Sequence, residues 1–196
     1  MVQRYKLSET DYRGANFKNW SGKDLKGNNE ILLLTRPEVI REIHTGYLEG
    51  GSDIIETNTF SATTIGQHDF LFAQEPHGRK DPEFFDRVIH DQALAETVHE
   101  INLTAAKIAR SAADEIANRT GSQRFVAGAI GPMPVTGSLS PDVNDPGFRT
   151  VTFEQLRFAY RQQVHSLIEG GVDTLLVETI FDTLNAKAAF AAILDV

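Results

Sequence analysis

Residues 49–57 read EGGSDIIET, and residues 169–179 read EGGVDTLLVET. Each copy ends a helical stretch with a double glycine, places an aspartate before a short apolar run, and closes that run with Glu-Thr. Repeated helix–strand units are typical of a (β/α)₈ barrel, because each barrel strand follows a helix and runs parallel to its neighbours. A doubly wound parallel sheet uses similar joints and is the alternative. The repeat favours the barrel.

The two copies also predict which way their glutamates point. The spacing from Asp173 to Glu178 is two residues longer than the spacing from Asp53 to Glu56. A difference of two preserves the alternation of side chains between the two faces of a sheet. We therefore expect both glutamates to face the same side.

Other local patterns predict the remaining elements. A capping-box pattern at Thr35, followed by Pro37, predicts the start of one helix, and a second capping box at Thr152 predicts another. The apolar run 31–34 has the length of a strand. Further expectations are strands at 53–56, 125–130 and 174–177, a helical region from about 84 to 117, a helix from near 182, a turn-rich segment at 70–81, and a long loop at 133–150.

The composition limits the classes of partner. The chain of 196 residues has a net charge of −8 and has no Lys/Arg cluster longer than Arg79-Lys80, which argues against nucleic acid and anionic membranes. It contains no cysteine, so it has neither disulfides nor cysteine ligands for zinc, and its six histidines show no metal-ligand spacing. No apolar run approaches the length of a membrane span. We expect a cytoplasmic protein.

The strand ends carry the candidate functional residues, because barrel enzymes place their working side chains there. Glu178 ends an apolar strand, where a buried carboxylate needs a cation or several donors, and a substrate ammonium group supplies both. A neighbouring Lys or Arg, or a helix-capping role, explains Glu178 equally well. Asn58 offers a ligand both a hydrogen-bond donor and an acceptor; alternatively, its amide only orders a loop. Gly131 allows a ligand to approach the backbone, or it ends a strand.

Several longer stretches at these strand ends resemble one known family. Residues 53–60 read DIIETNTF, residues 140–146 read SPDVNDP, and residues 177–189 read VETIFDTLNAKAA. Residues 26–29 (KGNN) and 36–40 (RPEVI) agree as well. Together they resemble the homocysteine-binding domain of the cobalamin-dependent methionine synthases. The similarity covers nearly the whole chain, in the right order.

The resemblance implies a partial (β/α)₈ TIM-type barrel of the homocysteine S-methyltransferase family. It implies that the complete protein transfers a methyl group from methylcobalamin to zinc-activated homocysteine, with cobalamin- and folate-binding modules in the same or a companion chain. It further implies that Glu178 contacts the amino group of homocysteine. Asn58, Thr57, Gly131 and Thr179 are expected to complete the substrate-binding mouth.

Three departures from the family pattern shape the remaining expectations. The opening strand of the family is missing, and the zinc-binding cysteines of the family lie on strands that this chain does not reach. After Gly131-Pro132 the family continues Thr-Asn-x-Thr, whereas this chain has Met133-Pro134-Val135-Thr136. The region from Phe70 to Glu100 also carries an apparent insertion.

We therefore expect residues 1–196 to form an incomplete barrel domain, truncated at both ends, with an N-terminal arm at 1–30 and helix–strand units at 31–196. We expect no zinc ligands in this chain and no methyl transfer by the chain alone. One alternative is a stand-alone remnant that depends on a partner or self-associates through its unpaired strand edges. Another is a different barrel enzyme that uses Glu178 and Asp182 as acid–base carboxylates.

Overall fold

A computed structural model of the chain describes residues 1–72, 78–81 and 83–196. The predicted turn-rich segment at 70–81 falls partly on residues 73–77, which, like Pro82, lie outside the described residues. The helices are α1 (Glu9–Arg13), α2 (Leu32–Thr35), α3 (Pro37–Glu49), α4 (Thr64–Leu71), α5 (Phe84–His90), α6 (Gln92–Thr120), α7 (Phe153–Glu169) and α8 (Thr183–Leu194). The strands are β1 (Ile54–Glu56), β2 (Phe125–Ile130) and β3 (Thr174–Val177).

The three strands form one parallel sheet in the order β1-β2-β3. Ile55 pairs with Val126, and Gly128 pairs with Leu175. Neighbours in sequence are therefore neighbours in the sheet, as in a barrel, whereas a doubly wound sheet reverses its strand order at a switch point. The predicted strands are confirmed within one residue at each end.

Helices cover one face of this sheet. Ile55 and Val126 pack against α6, and a methyl group at Gly128 would meet Leu167 of α7. The alternate residues face the other way, and Ile54 is 56% exposed. That open face corresponds to the interior of a barrel, and we call it the lumen face.

Of the two predicted capping boxes, one forms at the start of its helix and the other does not. Thr152 accepts a hydrogen bond from the Gln155 N–H and forms the predicted capping box of α7. The capping box predicted at Thr35 is wrong. The apolar run 31–34, although it has the length of a strand, is helical: Leu32–Thr35 form a turn of helix, and the Thr35 hydroxyl donates back to the Ile31 carbonyl.

Residues 1–30 pack onto the rest of the chain rather than projecting from it. Tyr12 and Leu25 are buried in one apolar cluster with Ile101 and Ala105 of α6. This contact brings the segment just before α2 next to the loop that follows β1. None of the helices in the described part of the chain is long and apolar enough to cross a membrane.

Candidate functional site

Two glutamates lie on the lumen face near the carboxyl ends of their strands. Glu56 pairs in register with Ala127, which pairs with Thr174, and Glu178 follows β3 on the same side as Thr174. The shared orientation predicted from the repeat is thus confirmed. Burial raises the pKa of Glu56, and the nearby charge of Glu178 raises it further. Within the described ranges neither carboxylate has a salt-bridge partner, so the pair offers an unneutralised negative site.

Thr179, directly after Glu178, has a strained backbone. Its φ is 57°, in the left-handed region that β-branched residues rarely adopt. Its hydroxyl lies 3.4 Å from a carboxylate oxygen of Glu178 and donates a weak hydrogen bond to it. Such strain occurs preferentially at ligand sites, where it fixes an unusual direction of the chain.

Asn58 lies at the end of β1 and is anchored by the N-terminal arm. Its Nδ2 donates to the Asn29 carbonyl at 2.8 Å, while its Oδ1 has no hydrogen-bond partner among the described residues. Asn58 and Glu56 line a cleft of about 510 Å³ that follows the free edge of β1. Glu178 is not part of that lining. The amide keeps one free acceptor for a ligand at the strand ends.

The hydroxyl of Thr57 is occupied by the sheet. It accepts a hydrogen bond from the Ala129 N–H at 3.0 Å and lies 2.6 Å from the hydroxyl of Thr59. Thr59 in turn donates to the Ala129 carbonyl. Thr57 therefore extends the pairing of β1 with β2 beyond the last ladder residue and shapes the site through the backbone.

Gly131 allows another group to approach its backbone closely, but that group belongs to the protein itself and is not a ligand. A Cβ at Gly131 would lie 2.4 Å from the Phe60 carbonyl oxygen and 2.9 Å from its ring. The buried hydroxyl of Tyr160 donates to the Gly131 carbonyl at 3.0 Å. Glycine is therefore required because the loop after β1 packs directly on the end of β2.

The long loop at 133–150 is confirmed as irregular, and the start of α8 holds its first part. Asp182 caps α8 by accepting from the Leu184 and Asn185 N–H groups. Its other oxygen accepts from the N–H and the hydroxyl of Ser138. Burial alone would raise the pKa of Asp182, but these hydrogen bonds outweigh it and lower the pKa. A carboxylate so engaged does not suit the proton-donor role in the acid–base alternative.

Asn185 was missed in the sequence, although it lies in one of the stretches that carry the resemblance. Its Oδ1 accepts from the Gly137 N–H at 2.9 Å, and its Nδ2 donates to the Val135 carbonyl at 2.7 Å. Loop 133–150 also borders a cleft of about 1020 Å³, whose wall includes Phe181. Phe181 is 73% exposed. The Asp-x-x-Asn spacing at a helix start was the signal available for this anchor.

A zinc ion does not fit the residues described. In residues 1–72, 78–81 and 83–196, no three His, Cys, Asp or Glu side chains come together as a possible metal site. The chain has no cysteine at all. We therefore derive no chemical step through zinc in this chain.

The chain matches one protein family and solved structures of similar fold. The model of a protein family described as "Homocysteine S-methyltransferase" matches residues 1–195. The metallated form of the homocysteine methyltransferase MmuM from Escherichia coli matches with 20% identity and a TM-score of 0.60, over 96% of this chain and 57% of MmuM. Its oxidised form matches with 21% identity and a TM-score of 0.59, over 84% of this chain and 49% of MmuM.

These structural matches confirm the predicted fold class, a partial TIM-type barrel. At 20–21% identity they show the fold alone. The chain spans about half the length of the solved structures it matches.

Proposed function

Because this chain belongs to the homocysteine S-methyltransferase family, we propose that it forms the homocysteine-binding portion of a methyltransferase. In the complete protein, the thiol of homocysteine is methylated. The substrate lies at the carboxyl ends of the strands, on the lumen face.

The observation that carries this proposal is the pair of glutamates at the strand ends. Glu178 and Glu56 face the same side, and neither has a cationic partner in the described ranges. An α-ammonium group would supply the missing positive charge and its donors. We propose that Glu178 contacts this group and that the free Oδ1 of Asn58 accepts a second hydrogen bond. Thr179, Thr57 and Gly131 shape the mouth through the backbone.

The finer assignment rests on the resemblance of the quoted stretches to the cobalamin-dependent methionine synthases. We propose methylcobalamin as the methyl donor of the complete protein, and cobalamin- and folate-binding modules of the same or a companion chain as its partners. Zinc held elsewhere in the complete protein would activate the thiol. A cytoplasmic location completes the proposal.

Calorimetry with two ligands tests the ammonium contact. We expect the chain to bind L-homocysteine under reducing conditions and to bind 4-sulfanylbutanoate, which lacks the amino group, at least about tenfold more weakly, because a charge-assisted hydrogen bond is lost. Glu178→Gln should weaken homocysteine binding by a similar factor and leave the analogue unaffected. Glu100→Gln, an exposed glutamate on α6, is the matched control. Equal affinities of the unmodified chain for both ligands would refute the role of Glu178.

A second candidate function follows from the sheet edges. In the described part of the chain, β1 and β3 each pair on one side only, and Ile54 on β1 is largely exposed. Unpaired edges template association with another strand. Sedimentation velocity would support this candidate if it showed a discrete, folded dimer, and a folded monomer over a wide concentration range would exclude self-association.

A further inference from the structure

A buried carboxylate beneath the loop after β1 has no role in the proposed binding of substrate. Glu30 is 8% exposed, and no Lys, Arg or His among the described residues forms a salt bridge with it. Burying a charge without a partner is costly, so such a group persists only where its hydrogen bonds serve a purpose.

Glu30 holds the segment that follows Asn58. Its Oε1 accepts from the Ser61 N–H at 2.9 Å. Gln67 lies beside the same carboxylate and donates to the Ser61 carbonyl at 3.0 Å. Both backbone groups of Ser61 are therefore fixed by this pair of side chains.

The residue before Glu30 holds Asn58 itself. The Asn29 carbonyl accepts from the Asn58 amide, and the Asn29 side chain accepts from the Tyr12 hydroxyl at 2.9 Å. Asn29 and Glu30, which are adjacent in the arm, thus form hydrogen bonds near both ends of loop 57–61. A movement of Glu30 relative to Ser61 would move Asn58, because only two residues separate them.

We propose that Glu30 is a positioning residue, which holds loop 57–61 and through it the side-chain amide of Asn58 in the place where substrate binds. This inference rests on the proposed function for its ligand, but the placement of the loop is a property of the chain itself.

The protonation state of Glu30 should control how firmly its hydrogen bond holds Ser61 and loop 57–61. Oε1 of the carboxylate accepts from the Ser61 N–H, whereas protonation turns one carboxyl oxygen into an O–H donor and leaves a neutral, weaker acceptor. Burial raises the pKa of Glu30 above its ordinary value. In the described residues the titratable group that faces Glu30 is the Tyr12 hydroxyl, while α4 contributes the neutral Gln67. Acid should therefore loosen loop 57–61.

Nuclear magnetic resonance of the whole chain tests the coupling without any ligand. We expect the carboxyl carbon of Glu30, the Ser61 amide and the Asn58 side-chain amide to titrate with one common midpoint. Glu30→Gln imitates the protonated acid, with one acceptor oxygen and a donor amide, so the common step should vanish and the Asn58 signal should keep its acid-end position at every pH. Glu100→Gln should retain the common step. If the Asn58 signal titrates identically in Glu30→Gln, or does not follow the Glu30 carboxyl carbon, the inference is overturned.

Calorimetry at pH values on either side of the midpoint found by resonance adds the functional readout. Homocysteine affinity of the unmodified chain should fall about tenfold as Glu30 is protonated, and affinity of Glu30→Gln should stay level at that lower value. Glu30→Ala, which leaves the Ser61 N–H without its acceptor, should bind weakly throughout. An acid loss of the same size in Glu30→Gln would overturn the inference. Absence of homocysteine binding at every pH would refute the proposed function instead, and the resonance titration would still decide the positioning role. Should Glu30→Gln fail to fold, coincidence of the midpoints in the unmodified chain decides it.

Discussion

Replacing Asp182 by alanine should remove a helix cap and a loop anchor at once. One carboxylate oxygen accepts from the Leu184 and Asn185 N–H groups, and the other accepts from the N–H and hydroxyl of Ser138. Loss of an aspartate cap costs about 1 kcal/mol. Loss of charge-assisted hydrogen bonds from Ser138 costs about 1.5 kcal/mol more. We expect the free energy of unfolding to fall by about 2.5 kcal/mol.

Asp91→Ala is the matched control, because Asp91 caps α6 through the Leu94 N–H and has no loop to hold. It should cost about 1 kcal/mol, measured by urea denaturation followed by circular dichroism. Thermolysin should cleave before the exposed residues Leu139 and Val143 faster in Asp182→Ala than in Asp91→Ala. Equal losses of stability and equal cleavage rates for the two variants would refute the anchoring role.

The Asp182 effect should also depend on pH. Hydrogen bonds hold the pKa of this carboxyl below its ordinary value despite burial. A depressed carboxyl pKa contributes stability that is present above the pKa of the unfolded chain, about 3.9, and lost as the pH falls through the folded pKa. The difference between unmodified chain and Asp182→Ala should therefore shrink below about pH 4. A constant difference down to lower pH would contradict this account.

Three further changes test other parts of the structure, each by urea denaturation. Thr179→Gly should raise the free energy of unfolding by about 1 kcal/mol because it relieves a left-handed backbone, and a loss would contradict the assigned strain. Gly131→Ala should lower it by about 2 kcal/mol since the new methyl group meets Phe60, whereas Gly46→Ala, with open space around its Cβ on α3, should not. Burial lowers the pKa of His44 to about 4, so its contribution to stability is complete above about pH 6.5 and is lost as the pH falls from about 6.5 toward about 4. His44→Phe should abolish this loss of stability in acid. An unchanged dependence of stability on pH in that variant would refute the account.

The strands and the direction of the glutamates could be predicted because they depend on local sequence. The double glycine and aspartate mark each helix–strand joint, and two-residue alternation fixes the face of Glu56 and Glu178. The helix Thr64–Leu71 escaped prediction because it is buried on several sides. Its inward residues include both Ile65 and the polar Gln67, which leaves no clear helical period.

The roles of the site residues could be predicted only in part, because their partners are distant in sequence. Thr57 was expected to meet substrate, yet its hydroxyl hydrogen-bonds to the N–H of Ala129. Gly131 was expected to let a ligand approach or to end a strand; β2 does end at Ile130, and the group that approaches Gly131 is the carbonyl of Phe60. These pairings form when β1 and β2 come together, so no pattern within either segment announces them. The contact of Glu178 with an amino group stays a prediction.

The two loops that border the site share one mode of support. Loop 57–61 is tied to Asn29 and Glu30 of the preceding arm, and the start of loop 133–150 is tied to Asp182 and Asn185 of a later helix. In each case side chains of one unit satisfy backbone groups of another. Asn185 shows this most clearly. It lies in the first turn of α8, yet the oxygen and the nitrogen of its side-chain amide both form hydrogen bonds with the loop after β2. The strand ends can thus present Glu56 and Glu178 on short segments, because neighbouring units supply the rigidity that a loop of polar residues lacks on its own.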